Sequence, residues 1–296
     1  MQTIKKLFAL LCAAAILAGC FGLSVLADDG TELSFEAVAE PMVITCTEVP
    51  LYSDIDDRYI GSGYIMDSST YVPLLTFTEY ALGESCQVRW DQESETATII
   101  TDGLCISVTM GQSYMVANDR YIYLEDGAYN INGTILVPIR ELAKVFSLDP
   151  QWDGEERSVR IDTEDTEIFA SGAEFYDADD LYWLSHVIYS EAGNQPLAGM
   201  IGVGNVVLNR AGEDSERFAH TIKGVIFQEG QFDVVPTGAI YMEPNENSVV
   251  AAKLCLEGYN TVGESKWFMN PRIGAADWFE RNTTLVAVIG DHNFYG

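Results

Sequence analysis

Basic residues are scarce in this chain: 16 Lys and Arg stand against 45 Asp and Glu, for a net charge of −29 over 296 residues. So acidic a surface repels a phosphate backbone, which argues against a nucleic-acid partner. It repels other anionic polymers equally, so a carbohydrate ligand has to be gripped by local aromatics and hydrogen bonds. Histidine is rarer still, with three in all and none before Phe175. The six cysteines form no CxxC pair and have no neighbouring histidine, which argues against a zinc site. Long apolar runs are also missing. The run from Leu7 to Leu17 is soon interrupted by Gly19, Gly22 and Ser24, and a membrane span needs about 20 apolar residues.

What is present begins with that run, which follows Lys5 and Lys6 and precedes a patch of small residues. Residues 1–27 therefore read as an export signal, and the mature chain is expected to have no transmembrane span. Two cleavage points compete. Val25-Leu26-Ala27 ahead of Asp28 suits ordinary secretion, the favoured reading, while Leu17-Ala18-Gly19-Cys20 resembles a lipobox that would anchor the protein through Cys20. Behind the signal, the length leaves room for two ordinary domains, and a hydrophobic fraction of 48% is enough for real cores. Cys46, Cys86, Cys105 and Cys255 remain. An even count outside the cell permits disulfides, yet three of the four sit in strand-like apolar settings that suit buried free thiols as well.

Residues 41–162 read as short strands and two short helices arranged in an internal repeat. Tyr71-Val72-Pro73-Leu74-Leu75, Phe77, Ala81-Leu82-Gly83 and Trp90-Asp91 ahead of Thr96–Ile100 form one copy. Leu136-Val137-Pro138-Ile139-Arg140, Leu142, Val145-Phe146 and Trp152-Asp153 ahead of Ser158–Ile161 form the other. Each proline fits a first helical turn, and each tryptophan opens an alternating strand as an expected core anchor. The pattern resembles the copper amine oxidase-like N-terminal domain of secreted bacterial wall proteins. The lack of histidine here offers no imidazole copper site, so the resemblance implies an accessory role, such as wall attachment. Residues 163–178, acidic and without periodicity, read as a linker.

Residues 179–296 form the second domain. Leu181, Leu184, Val187 and Ile188 recur at helical spacing behind Asp179 or Asp180 as cap, so a helix runs to Glu191 and ends at Ala192-Gly193-Asn194. Pro196 starts a second helix that closes near Asn209-Arg210, a pair expected to give structural support. A further helix carries Val249, Ala252, Leu254 and Leu256. Glu191 thus sits at a helix C-terminus, where the dipole disfavours negative charge and the carboxyl tends to keep its proton. That tuning suits an acid acting on a glycosidic oxygen near neutral pH.

Ile188–Gly193, Val203–Arg210, Ile222–Phe227, Gly230-Gln231-Phe232, Phe268–Pro271 and Ile289–Tyr295 together resemble, in order, the catalytic domain of the spore cortex-lytic and cell wall hydrolase family. The resemblance implies a two-domain protein, β-rich α+β first and then a mainly helical, lysozyme-like α+β domain with a small sheet. It implies an exported enzyme, associated with cell wall or spore, that cleaves peptidoglycan glycan strands as a lytic transglycosylase without metal or organic cofactor. Glu191 would be its catalytic acid and base. Gln231, Phe232, Phe268, Asn270 and His292 would line the substrate cleft, and Asp233 and Asp277 are the nearest candidates for a second acid. A hydrolytic muramidase and a non-catalytic wall- or spore-coat-binding protein are the alternatives.

Overall fold

Alternating apolar residues in the N-terminal half fold into two sheets. The protein is seen in a computed structural model that describes residues 46–272 and 281–296; the export signal with both cleavage points, and Asp277, lie outside these residues. One sheet takes β1 (Thr47–Ser53), β2 (Tyr59–Met66), β3 (Ser69–Pro73), β9 (Tyr129–Ile131), β10 (Thr134–Pro138), β11 (Gln151–Asp153) and β12 (Ser158–Ile161), in the order β11-β12-β1-β2-β3-β10-β9. The other is a meander of β4 (Gln87–Asp91), β5 (Thr96–Ile100), β6 (Cys105–Thr109), β7 (Tyr114–Ala117) and β8 (Arg120–Tyr123). Every pairing is antiparallel except β1 with β12.

The repeat shows itself at the centre of the larger sheet, where β3 pairs with β10 as Tyr71↔Pro138, Val72↔Val137 and Pro73↔Leu136. These are matching positions of the two copies, so the copies meet across a local twofold. Each strand runs into a short helix, α1 (Leu74–Leu82) or α2 (Ile139–Lys144). Pro73 and Pro138 do not enter the first turn as expected. They cap it from outside with extended ψ of 116° and 130°, because each is also the last residue of a paired strand. Leu74, Phe77 and Ala81 from α1 and Ile139, Leu142 and Ala143 from α2 fill a common core with Ile99, Ile106 and Phe146.

The two tryptophans are not core anchors. Trp90 is 41% and Trp152 45% exposed, on β4 and β11, which are edge strands of their sheets. The repeated feature with a structural task is the aspartate that follows. Asp91 Oδ1 accepts from the N–H groups of Glu93 and Ser94, and Asp153 Oδ1 from those of Glu155 and Glu156. Each turn finishes with a left-handed residue, Glu95 or Arg157. The four cysteines are free thiols, but only Cys255 is buried, while Cys46 and Cys105 are exposed.

The C-terminal half is helical. It contains α3 (Gly172–Phe175), α4 (Ala178–Ala192), α5 (Leu197–Ala211), α6 (Ile222–Phe227), a 3₁₀ turn (Ala239–Tyr241) and α7 (Glu246–Leu256). A three-stranded sheet of β13 (Trp267–Met269), β14 (Leu285–Ile289) and β15 (His292–Tyr295), ordered β13-β15-β14, completes it. The cap of α4 is Asp177, not Asp179 or Asp180; its carboxylate accepts from both of their N–H groups. Those two acids occupy the first turn, where they complement the helix dipole.

Residues 163–178 connect the halves while staying docked. Glu167 and Phe169 donate backbone hydrogen bonds to Phe146 and Val145, and Ser171 and Glu174 form a capping box on α3. Tyr176 is buried; its hydroxyl donates to Glu257 at 2.7 Å and accepts from the Tyr121 N–H at 3.1 Å. Glu257 also accepts two bonds from Arg120, at 2.9 and 2.6 Å, and the guanidinium lies 3.6 Å from the Phe175 ring centre. Tyr123 stacks on Tyr259 with ring centres 3.5 Å apart, and Lys253 reaches Asp119 at 2.8 Å. The described residues accordingly belong to one compact unit.

Both Arg120 and Glu257 are largely buried, with side-chain exposures of 13% and 12%. We expect Arg120→Ala to cost on the order of 3 kcal/mol, since it strands a buried carboxylate. Calorimetry reads this as a lowered unfolding temperature; an unchanged one shows that the pair adds nothing to the junction.

Candidate active site

The site is built on α5, which has no Cβ at the points where its neighbours come closest. A Cβ on Gly204 would lie 2.6 Å from Cys255 Sγ on α7 and 2.9 Å from Ile188 Cδ1 on α4; one on Gly202 would meet the Phe294 ring. Close packing on these glycines sets α4, α7 and β15 around one core. The polar residues of α5 hold the loop that leads into β13. Asn205 bonds to the Tyr259 carbonyl and the Thr261 N–H, Asn209 donates to the carbonyls of Gly263 and Ser265, and Arg210 Nε donates to the Lys266 carbonyl at 2.7 Å.

Glu191, on the last turn of α4, faces a cavity of about 450 Å³. Ser190 beside it is tied to the 3₁₀ turn through the Ala239 carbonyl, and His186 one turn earlier through the Ile240 carbonyl. All six residues singled out in the sequence, Glu191, Gln231, Phe232, Phe268, Asn270 and His292, border this cavity, and Asp233 joins them. Arg210, Asn194, Gln195 and Asp291 border it too, although sequence reasoning gave Arg210 a supporting role and passed over the others.

The surroundings differ from one member to the next. Phe232 is 5% exposed, and Arg210 sits over its ring at 5.2 Å, so little of the ring is open to the cavity. Phe268 is half-buried on β13, next to His292 at 5.3 Å between ring centres. His292 is buried with Nδ1 unpartnered, and burial pushes its pKa down. Asn270 Oδ1 accepts from the Arg272 N–H. The turn between β14 and β15 docks on Gln195, whose Oε1 accepts from the Asp291 N–H at 2.9 Å.

Burial raises the Glu191 carboxyl from its ordinary value of 4.5 to about 7, with the Asp233 carboxylate adding to the rise and Arg210 opposing it. The cause is mainly desolvation, with a neighbouring acid second. Arg210 is itself pressed down to about 10 by burial and by Arg217, which leaves it charged at neutral pH. Its Nη1 is buried without a hydrogen-bond partner. The cavity therefore joins an acid that holds its proton near neutrality to a cation ready to stabilise it once the proton has gone.

Residues 194–295 match the family model described as Cell Wall Hydrolase, and residues 55–161 match that of the Copper amine oxidase N-terminal domain. The C-terminal half carries a cell wall hydrolase domain. The spore cortex-lytic enzyme of Bacillus cereus is 30% identical over 119 residues, 40% of this chain and 45% of that protein. The one from Bacillus subtilis is 31% identical over 116 residues, 39% of this chain and 37% of that protein. The chain thus spans less than half the length of these curated relatives. The crystal structure of the catalytic domain of the Bacillus cereus SleB protein is 30% identical, covering 41% of this chain and 92% of that one, with a TM-score of 0.37. Glu191 lies just ahead of the segment matched to the cell wall hydrolase domain.

Between pH 4.5 and about 7 the native protein holds the Glu191 proton that the unfolded chain releases. Stability therefore falls as pH rises through that window and levels off above it. We expect Glu191→Gln to be more stable than the native protein at pH 8, by on the order of 1–3 kcal/mol. Urea denaturation should show the difference closing near pH 4.5; a variant no more stable at pH 8 would mean that Glu191 is not desolvated.

Proposed function

We propose that this chain cuts the glycan strands of peptidoglycan between N-acetylmuramic acid and N-acetylglucosamine, as a lytic transglycosylase of cell wall or spore cortex. The observation that carries this reading is Glu191, a carboxyl at a cavity wall whose pKa is pushed up to about 7. Its proton passes to the glycosidic oxygen as the bond from that oxygen to muramic C1 breaks. The C6 hydroxyl of the same sugar then closes on C1, and the Glu191 carboxylate takes the hydroxyl proton. The products are a 1,6-anhydro-muramic end and a new 4-hydroxyl on N-acetylglucosamine. No water is consumed, and the acid is restored.

In this reading Arg210 stabilises the Glu191 carboxylate between the two proton transfers. Phe268 supplies an apolar wall, Gln231 and Asn270 hold N-acetyl or backbone-like amides, Phe232 supports Arg210 from below, and His292 offers its free Nδ1 as a hydrogen-bonding group. The helical frame with its small antiparallel sheet and helix-end acid supports assignment to a lysozyme-like fold. The cortex-lytic relatives support peptidoglycan as substrate.

Asp233 supports a second reading, a hydrolytic muramidase, because it shares the cavity and acts electrostatically on Glu191. Mass spectrometry of digested peptidoglycan separates the two: an anhydro-muramic end fits the first, and a product heavier by one water fits the second. Glu191→Gln should abolish cutting in either case. Tight binding of the native protein to wall without release of soluble fragments would instead leave a non-catalytic wall- or spore-coat-binding protein.

Activity should fall as pH rises through about 7, where Glu191 loses its proton. Asp233→Asn removes a charge that raises Glu191, so under the transglycosylase reading cutting persists and the alkaline limb of the pH profile moves to lower pH. Loss of all cutting in Asp233→Asn would sink that reading.

A further inference from the structure

The accessory half holds a second cavity of about 430 Å³, close in size to the one at Glu191. It is bordered by Trp152 and Val159 from β11 and β12, by Pro138, Arg140 and Glu141 where β10 passes into α2, and by Ser68, Ser69 and Thr70 where β2 turns into β3. Strands from both sides of the seven-stranded sheet thus contribute to one hollow.

Trp152 is the distinctive member. Its counterpart in the other repeat, Trp90, donates its indole N–H to Gln92 at 3.1 Å. The Trp152 side chain has neither a hydrogen bond nor a ring or cation partner among the described residues, and stands 45% exposed at the cavity wall. Arg140, likewise exposed, forms no ion pair there. An unoccupied indole face beside hydroxyls, one cation and one acid is suited to the C–H face and hydroxyl rim of a pyranose. Arg140 and Glu141 cancel in charge, and the chain as a whole carries −29, so the cavity favours a neutral sugar over an anionic polymer.

We propose that the Trp152 cavity is a second carbohydrate site, holding N-acetylated hexosamine units of a glycan strand. The identity of the strand rests on the reading that the C-terminal half cuts peptidoglycan. Because the halves are locked through Glu257 and Tyr176, occupancy here raises the local concentration of the strand at the cleft without a flexible tether.

The test uses the full mature chain carrying Glu191→Gln, so that nothing is cut, and glycan strands freed of stem peptides and anionic polymers, with their muramic carboxyls amidated to keep them neutral and the strands fixed to beads. Trp152→Ala should weaken cosedimentation roughly tenfold, Trp152→Phe should restore most of it, and the unfolding temperature should not move. Arg140→Ala, an exposed change that leaves the core alone, should weaken it as well. Trp152→Ala in the otherwise native protein should still cut a short soluble glycan at the normal rate. Undiminished binding by both Trp152→Ala and Arg140→Ala overturns the proposal. So does binding that depends on Trp152 only when stem peptides are present, which would make the ligand a peptide. A native protein that cuts nothing yet binds stripped strands through Trp152 would topple the catalytic reading and leave this one standing.

Discussion

Two glycines on α5 govern the rest of the C-terminal half. Gly202 and Gly204 remove side chains where Phe294, Ile188 and Cys255 approach, so α5 becomes an axis that α4, α7 and the small sheet can all touch. A methyl group at Gly204 would collide with Cys255 on α7 and with the end of the Ile188 side chain on α4, and Glu191 is carried at the end of α4. The polar residues on the same helix then fix the loop into β13, and with it Phe268 and Asn270. One helix thereby sets both walls of the cavity: the acid on one side through packing, and the strand on the other through hydrogen bonds.

The electrostatics of the cavity follow from that frame. A buried guanidinium is unusual in a chain with so few cations, and Arg210 keeps its charge by resting on Phe218 and Phe232 and bonding to one carbonyl. Asp233 and Arg210 act on Glu191 in opposite directions: Asp233 holds the Glu191 proton on, and Arg210 makes its departure less costly. An excess of acid over the whole surface does not determine the balance inside, because exposed charges are screened by solvent and salt while the buried neighbours of Glu191 are screened much less.

Helices, strands and the repeat were legible because period and punctuation are local. The ends of α4 and α5, the turn at Gly230 and the strands around Phe268 and His292 all follow from residues a few positions apart. What failed was depth. Alternation gives the face of a strand but not whether another layer covers it, and Trp90 and Trp152 came out on exposed edges. The helix-end argument for Glu191 had the right sign, yet the larger causes are burial and Asp233, which comes from a distant loop. The Asn209-Arg210 pair ties down the loop into β13 as its sequence suggested, and what could not be read there is that Arg210 also borders the cavity, since a polar residue at a helix end can do either or both.

The pairing of β3 with β10 also bears on how such a domain arises. Equivalent strands face each other about Val72 and Val137, so each copy completes the sheet edge of the other. A chain with only one copy would present that strand as an open edge whose natural mate is its own twin. The shortest path to a paired edge is then a symmetric homodimer, and duplication followed by fusion turns the two-chain contact into an internal one. Once both copies share a chain, they are free to diverge, as one indole engaged with Gln92 and the other left open to solvent already have.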